Sequence, residues 1–322
     1  MLDSHSYNIS HINKENFEQY ALDVFEYQYL HNSLYRDFCT FLKRSPSSVK
    51  EFKEIPFLPI SFFKTHQVCD DSSTSFYFES SGTTGQVRSK HFVRNLKLYE
   101  QSFLTQFEKQ YGPIENLCII SVLPSYHEQK SSSLLYMINT LIAHSKYHFS
   151  GFYKDDYAQV IDIIEKSERP VILFGVAYAL MDMSEAFPTA LKNTTIIETG
   201  GMKGKRKEII REELHQLLRE RFALDFIDSE YGMTELLSQA YMKDGKTFQP
   251  PNWMRVLTRS IDDPFELVSG KTGGINIIDL ANLHSCAFIA TQDLGKLHAD
   301  LSFEVLGRFD ASDVRGCNQL VQ

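Results

Sequence analysis

Short apolar runs of strand length alternate with helical stretches between residues 117 and 227, and this alternation restricts the fold more than any other feature. Residues 117–123, 171–174, 194–198 and 224–227 read as strands, with 147–149 as a shorter one. Between them, 132–144, the amphipathic 155–166 and 205–222 read as helices. The last of these sets Ile209, Ile210, Leu214, Leu217 and Leu218 on one face. Strands apolar on both faces, separated by helices, predict an α/β fold with a mostly parallel sheet under two helical layers.

The flanks differ in texture. Residues 16–42 are helical and aromatic, with Phe17, Tyr20, Val24, Tyr27, Leu34, Phe38 and Phe41 at helical spacings. The segment Ile55-Pro56-Phe57-Leu58-Pro59-Ile60 has prolines too close together for a regular helix, so it is expected to run extended. After residue 255, short strands near 274–278, 288–291 and 301–306 are separated by Gly and Asp turns. The expected organisation is a helical and connector segment over 1–75 packed on the core, an α/β region over 76–254, and a small β-rich subdomain with a C-terminal tail over 255–322.

Composition excludes several functions. The chain has 322 residues, enough for one large domain or two, and 43% hydrophobic with 23% charged residues is globular. A formal charge of −8 argues against a nucleic-acid binder, which needs a basic face. Cys39, Cys69, Cys118, Cys286 and Cys317 are odd in number and lack CxxC spacing, so neither a disulfide framework nor a common zinc site is expected. Free thiols suit a reducing compartment. Residues 1–17 lack the order of a signal peptide, and the uncharged stretch 170–181 falls short of the roughly 20 residues that span a bilayer. A cytoplasmic chain with no transmembrane segment is expected.

Ser80-Ser81-Gly82-Thr83-Thr84-Gly85 is the strongest chemical signal, placed after a strand at 76–78 and before Arg88, Lys90, His91 and Arg94. Glycines let successive N–H groups face one point, hydroxyls add donors, and cations complete a phosphate cradle. It is not the common P-loop, and a polar hairpin without a ligand would use the same residues. Thr199-Gly200-Gly201-Met202-Lys203-Gly204-Lys205-Arg206-Lys207 follows a strand. Its cations crowd the expected start of a helix, against the dipole, so they either face an anion or form a solvated basic turn. Tyr231-Gly232-Met233-Thr234-Glu235 follows the last parallel strand, where α/β folds place ligand contacts. An aromatic ring, a glycine and a carboxylate suit a base, a close backbone approach and a magnesium ion; a plain helix start is the other reading. No GxSxG elbow or GxGxxG fingerprint is present. His144 and His148 read as structural, whereas His127 follows a strand and suits either a pocket wall or a hydrogen-bonded loop.

In this order the segments resemble the AMP-forming acyl-adenylating superfamily. Residues 80–85 are similar to its phosphate loop and 231–235 to its adenine and magnesium motif. Thr291-Gln292-Asp293 resembles its ribose motif, and Gly307-Arg308-Phe309-Asp310 its hinge motif. With Gln86 and the ending Arg315-Gly316-Cys317, the closer resemblance is to acyl-protein synthetases, the long-chain fatty acid–luciferin-component ligases of bacterial bioluminescence.

The resemblance implies an ATP- and Mg2+-dependent acid–thiol ligase. A fatty acid carboxylate would attack the α-phosphorus of ATP, with pyrophosphate leaving. Ser80, Ser81, Gly82, Thr83, Thr84, Gly85 and Arg88 would cradle phosphates; Gly200, Gly201, Tyr231, Gly232, Met233 and Thr234 would surround the nucleotide. Asp293 would hold the ribose and Glu235 the magnesium. Cys317 matches the cysteine that carries the acyl group before an acyl reductase partner of the acyl-CoA reductase type takes it. Three departures stand out: Val87 and Arg88 replace the usual proline and lysine, Gln292 replaces a glycine, and the sequence ends soon after Asp310. The superfamily's C-terminal lid with its lysine is therefore expected to be absent. Lys203, Lys205 or Arg308 would supply the cation, and His127 stays a candidate for a pocket wall. The competing readings are an acyl-CoA ligase, with coenzyme A as acceptor, and a non-catalytic nucleotide- or partner-binding subunit.

Overall fold

The computed structural model describes residues 2–4, 6–81, 87–200, 206, 209–243 and 245–309. The chain divides into two compact units, Met1–Thr74 with Asn252–Gln322, and Ser75–Pro251.

The first unit opens with α1 (Phe17–His31) and α2 (Ser33–Phe41), then β1 (Leu58–Pro59) and α3 (Phe62–Thr65). Asn32 separates the two long helices. Its side chain caps α2 by accepting from Tyr35 N at 3.1 Å and donates to Ser285 O at 2.9 Å. The proline-rich segment is extended as expected, and β1 lies parallel to a strand that reaches it through Leu58↔Ile289.

The second unit holds the hairpin β2 (Tyr77–Glu79) and β3 (Lys90–Phe92), then α4 (Leu96–Tyr111), β4 (Cys118–Ser121), α5 (Ser133–Ser145), β5 (Gly151–Phe152), α6 (Tyr157–Lys166), β6 (Val171–Gly175), α7 (Ala177–Ala186), β7 (Thr194–Glu198), α8 (Arg211–Phe222), β8 (Asp228–Tyr231), β9 (Ala240–Met242) and β10 (Phe248–Gln249). The sheet order is β5-β4-β6-β7-β8-β9-β10. Strands β5 to β8 are parallel, while β9 and β10 turn back antiparallel. Every residue of β4 and β6 is buried, as strands covered on both faces require. Helices α5 and α6 begin one and two residues later than the sequence pattern implies. Ser132 and Asp156 act as N-caps, accepting from Leu135 N and Gln159 N.

Three elements depart from the sequence reading. The strand expected at 147–149 forms instead at Gly151–Phe152. Helix α8 starts at Arg211, not 205, with Glu212 and Glu213 in its first turn and Arg219 and Arg221 in its last. The charges thus agree with the helix dipole, and the conflict expected from cations at its start disappears. Ile210 is 67% exposed, outside the apolar face that Leu214 and Leu218 bury. The strand expected at 224–227 is Asp228–Tyr231, a polar sequence that apolar patterning passes over.

The first unit is completed by β11 (Met254–Arg259), β12 (Leu267–Val268), β13 (Thr272–Asp279), β14 (Phe288–Leu297) and β15 (Phe303–Arg308). Their order is β12-β11-β13-β14-β15, all antiparallel, with β1 added parallel to β14. The connection between β13 and β14 is buried, so its backbone groups need partners. Helix α1 supplies them: Gln28 Nε2 donates to Asn282 O (2.9 Å) and Leu283 O (2.8 Å), and its Oε1 accepts from Ala287 N (3.0 Å). Phe25, Tyr35 and Phe57 pack around Phe288. Among the described residues, no helix is long and apolar enough to cross a membrane.

Candidate functional site

In the second unit, His127 follows β4, Thr199 follows β7 and Tyr231 closes β8, which places these candidates at the carboxyl ends of parallel strands. The hydroxyl–glycine segment joins β2 to β3. Ser80 N donates to Ser89 O, and Ser89 N donates to Ser80 Oγ, both at 3.0 Å, which closes the base of the connection. Ser81 is exposed; Gly82, Thr83, Thr84 and Gly85 lie outside the described residues. Arg88 pairs with Glu79 at 3.2 Å across the base, leaving an exposed guanidinium beside the loop. Lys90 instead lies over the Tyr77 ring, 4.7 Å from its centroid.

His91, one of the basic residues after the loop, is not a surface cation. It is fully buried, and its Nδ1 donates to Thr234 O at 2.8 Å. This bond ties the hairpin to the Tyr231–Glu235 turn, joining two segments far apart in sequence.

Tyr231 closes β8 and is 8% exposed, its ring 5.7 Å from that of Phe248. Arg211 lies over Phe248, 5.1 Å from its centroid. Gly232, Met233 and Thr234 are half-buried in the turn that follows, where Leu236 N donates to Met233 O at 3.1 Å. Glu235 is buried at 6% exposure. These residues form a turn between β8 and β9, not the helix start that was the alternative reading.

Beside them, Glu198 ends β7. Its Oε2 accepts from Ser229 Oγ at 2.9 Å and lies 3.8 Å from His215 Nε2 and from Arg211 Nε. Thr199 follows, 2% exposed, with an Oγ1 that has no partner among the described residues. Gly200 has φ +77°, the left-handed region that favours glycine. Gly201, Lys203 and Lys205 lie outside the described residues. Arg206 is held by Asp182 and Glu185 of α7, so it belongs to a surface ion-pair group. His127 is exposed in the turn after β4.

Glu230 was passed over in the sequence. It sits among the buried phenols of Tyr99, Tyr111 and Tyr241, and burial, with Glu198 adding, pushes its carboxyl up to about 8. Glu198 and Glu230 share a signal that patterning can miss: a carboxylate inside a central strand is costly unless something nearby uses it.

The remaining site residues belong to the first unit. Asp293 lies in β14 and pairs in register with Arg308 of β15, their Oδ1 and Nε 3.4 Å apart. Asp293 N donates to Thr291 Oγ1 at 3.1 Å, and Phe309 N to Gln292 O at 2.7 Å. Asp310 and Cys317 lie outside the described residues. Arg259, also passed over in the sequence, is buried and donates to Thr291 O.

The side chains suit a magnesium nucleotide. A buried Thr199 hydroxyl with no partner among the described residues, and a left-handed glycine at 200 with open space where a Cβ would stand, favour a close ligand approach. Among the described residues no cluster of three or more His, Cys, Asp or Glu is placed to hold a metal. Magnesium takes one or two protein carboxylates and fills its shell with substrate phosphates and water; Glu235, buried in the turn after β8, is the carboxylate proposed for it.

A sequence profile described as "Acyl-protein synthetase, LuxE" matches residues 1–322. No curated protein matches the sequence. Among solved structures, 2-hydroxyisobutyryl-CoA ligase in complex with 2-HIB-AMP and CoA superposes with a TM-score of 0.69 at 10% identity, over 97% of this chain and 74% of that one. O-succinylbenzoate coenzyme A synthetase from Bacillus subtilis, with ATP and magnesium, gives 0.53 at 18% identity over 73% of this chain and 50% of that one. ATP-bound MatB from Rhodopseudomonas palustris gives 0.52 at 16%, covering 74% and 49%. The chain thus spans about half the length of the last two. At these identities the likeness is one of fold, and it agrees with the α/β architecture and its β-rich companion.

Proposed function

The chain belongs to the acyl-protein synthetase family, and from that premise we propose that it activates a fatty acid with ATP and passes the acyl group to a thiol. The bond from His91 Nδ1 to Thr234 O carries this reading. It couples the phosphate-loop hairpin to the turn bearing Tyr231 and Glu235, so triphosphate and base would be gripped by one rigid element.

In the first step the fatty acid carboxylate attacks the α-phosphorus and the P–O bond to pyrophosphate breaks. Residues 80–85 and Arg88 bind the departing phosphates. Lys203, Lys205 or Arg308 offsets charge that builds on the transferring group, the main source of catalysis in such reactions. Gly200, Gly201 and Tyr231 accept the base, Asp293 the ribose, and His127 lines the acyl side. Glu235 holds magnesium, which supplies charge neutralisation on the phosphate oxygens when bound.

In the second step a thiolate attacks the acyl-adenylate carbonyl and AMP leaves, giving a thioester. The described cysteines are poor acceptors. Burial pushes Cys39 up to about 12 and raises Cys69, Cys118 and Cys286 as well. Cys317 is the proposed acceptor, with a reductase-type protein taking the acyl group onward. Coenzyme A as acceptor is the second reading, favoured by the CoA ligases among the similar structures. ATP–pyrophosphate exchange across fatty acids of graded length tests the first step, followed by labelling with radioactive acid. Exchange without any protein-bound label, together with acyl-CoA formation, would replace the first reading by the second. No exchange with any acid would overturn both.

A further inference from the structure

Arg259, the last residue of β11, is buried at 9% exposure; its guanidinium donates to neutral groups, and the Asp293 carboxylate favours its charge. Nη1 donates to Ile275 O (2.8 Å) and Asn276 Oδ1 (2.7 Å), and Nη2 to Thr291 O (2.6 Å). Space for it is cut by glycine: a Cβ at Gly274 would lie 2.6 Å from Arg259 Cζ, and one at Gly273 would collide with Arg259 O. The guanidinium also lies over the Phe309 ring, 5.5 Å from its centroid.

A buried cation is expensive, and an apolar residue would fill the same volume more favourably. What Arg259 gains is control of three segments at once. It holds the backbone of Thr291, two residues before Asp293, and the ring of Phe309, the residue after Arg308. Thr291 is fixed further, its Oγ1 donating to Ile275 O (2.9 Å) while accepting from Asp293 N. Gln292 O, between them, receives Phe309 N. The Asp293–Arg308 pair is therefore framed on both sides by groups that Arg259 immobilises.

We propose that Arg259 is a positioning residue that aims the Asp293 carboxylate at the ribose hydroxyls of the nucleotide. The proposal rests on the reading of Asp293 given above. It differs from a purely structural role, because only an aiming role makes the benefit of Arg259 depend on the hydroxyls being there.

Affinities for ATP, 2′-deoxy-ATP and 3′-deoxy-ATP, measured by calorimetry, separate the two. Wild type should prefer ATP over at least one deoxy analogue by about 10- to 100-fold, as a hydrogen bond to a charged group implies. In R259M that preference should shrink toward unity, with ATP losing affinity and the deoxy analogue losing little. R259K keeps the charge but cannot hold three acceptors with a planar fork, so it should lose most of the preference too. Equal losses for all three nucleotides, with the wild-type ratio kept, would overturn the proposal. If R259M does not fold, R259K decides alone. A wild type that binds ATP but ignores the ribose hydroxyls refutes the aiming role and leaves the ligase reading intact. A wild type that binds no nucleotide refutes both.

Discussion

The carboxyl of Glu230 occupies the space that a Cβ at position 232 would need. Gly232 is thus required by its neighbour two residues back, not by its own backbone angle, and the side chain of Gln239 limits the site from another side. Gly232→Ala must displace the Glu230 carboxyl. We predict a loss of roughly 1–3 kcal/mol in stability and weaker nucleotide binding. Glu230→Ala in the same chain should restore much of both. A double-mutant cycle by thermal melts and calorimetry checks this, and strictly additive effects would dissociate the two residues.

Glu230 also predicts a pH dependence. In the fold its carboxyl titrates at about 8, against an ordinary 4.5. Between these values the unfolded chain is ionised while the folded one keeps its proton. The contribution of Glu230 to stability is therefore fully present below the ordinary value, falls as pH rises toward 8, and levels off above it. Glu230→Gln mimics the neutral form and should lack this decline. Relative to it, wild type should lose roughly 2–4 kcal/mol across that window. Parallel denaturant titrations of both proteins from pH 5 to 9 supply the comparison; superimposable profiles would show an ordinary carboxyl.

Gln28 gives a prediction for stability alone. One buried side chain satisfies Asn282 O, Leu283 O and Ala287 N. Gln28→Leu keeps the volume and strands these groups, at about 1–3 kcal/mol for each one left unpaired. Urea unfolding should show one of the largest losses of any single substitution in the Met1–Thr74 and Asn252–Gln322 unit. A loss below about 1 kcal/mol would mean that water enters and replaces the amide.

The alternation of apolar strands and helices was legible because β4, β6 and most of β7 are buried on both faces, which leaves a continuous apolar run. Strand β8 was not, since Asp228 and Ser229 are buried and Glu230 half-buried despite their polar side chains. Residues 231–235 stand out by composition alone, whereas the strand before them lies four residues later than apolar patterning puts it. His91 illustrates the opposite limit. Its sequence neighbours are cations, so it reads as one, and only the pairing of β2 with β3 turns it inward toward Thr234. Arg259 left a still fainter trace: the glycine pair Gly273-Gly274 makes room for its guanidinium, but the two segments meet only in the antiparallel register Arg259↔Gly274.

Glu235→Gln isolates the proposed magnesium contact. The amide keeps the shape of a side chain only 6% exposed, but it lacks the charge that a hard divalent cation favours. Pyrophosphate exchange should fall by at least about tenfold, and the magnesium concentration for half-maximal rate should rise. The melting temperature without magnesium should change little. An unshifted magnesium requirement, whatever the rate, would assign the carboxylate to packing instead.

The sharpest prediction concerns Cys317. The segment from Asp310 to Cys317 spans at most about 23–25 Å when extended, at roughly 3.3–3.6 Å per residue, a reach that would let its thiol meet an acyl-adenylate held near the Asp293–Arg308 pair. Arg315 is two positions away, and a neighbouring cation favours the thiolate that attacks. Burial raises Cys39, Cys69, Cys118 and Cys286 and keeps them as unreactive thiols. Incubation with ATP, magnesium and radiolabelled fatty acid, followed by denaturation, should leave one label per chain that neutral hydroxylamine releases. Cys317→Ser should remove that labile label and keep pyrophosphate exchange within about twofold of wild type, because the thiol enters only after the adenylate has formed. A labile label of wild-type intensity on Cys317→Ser would move the acceptor to another cysteine. Loss of exchange along with the label would instead place Cys317 in the activation step.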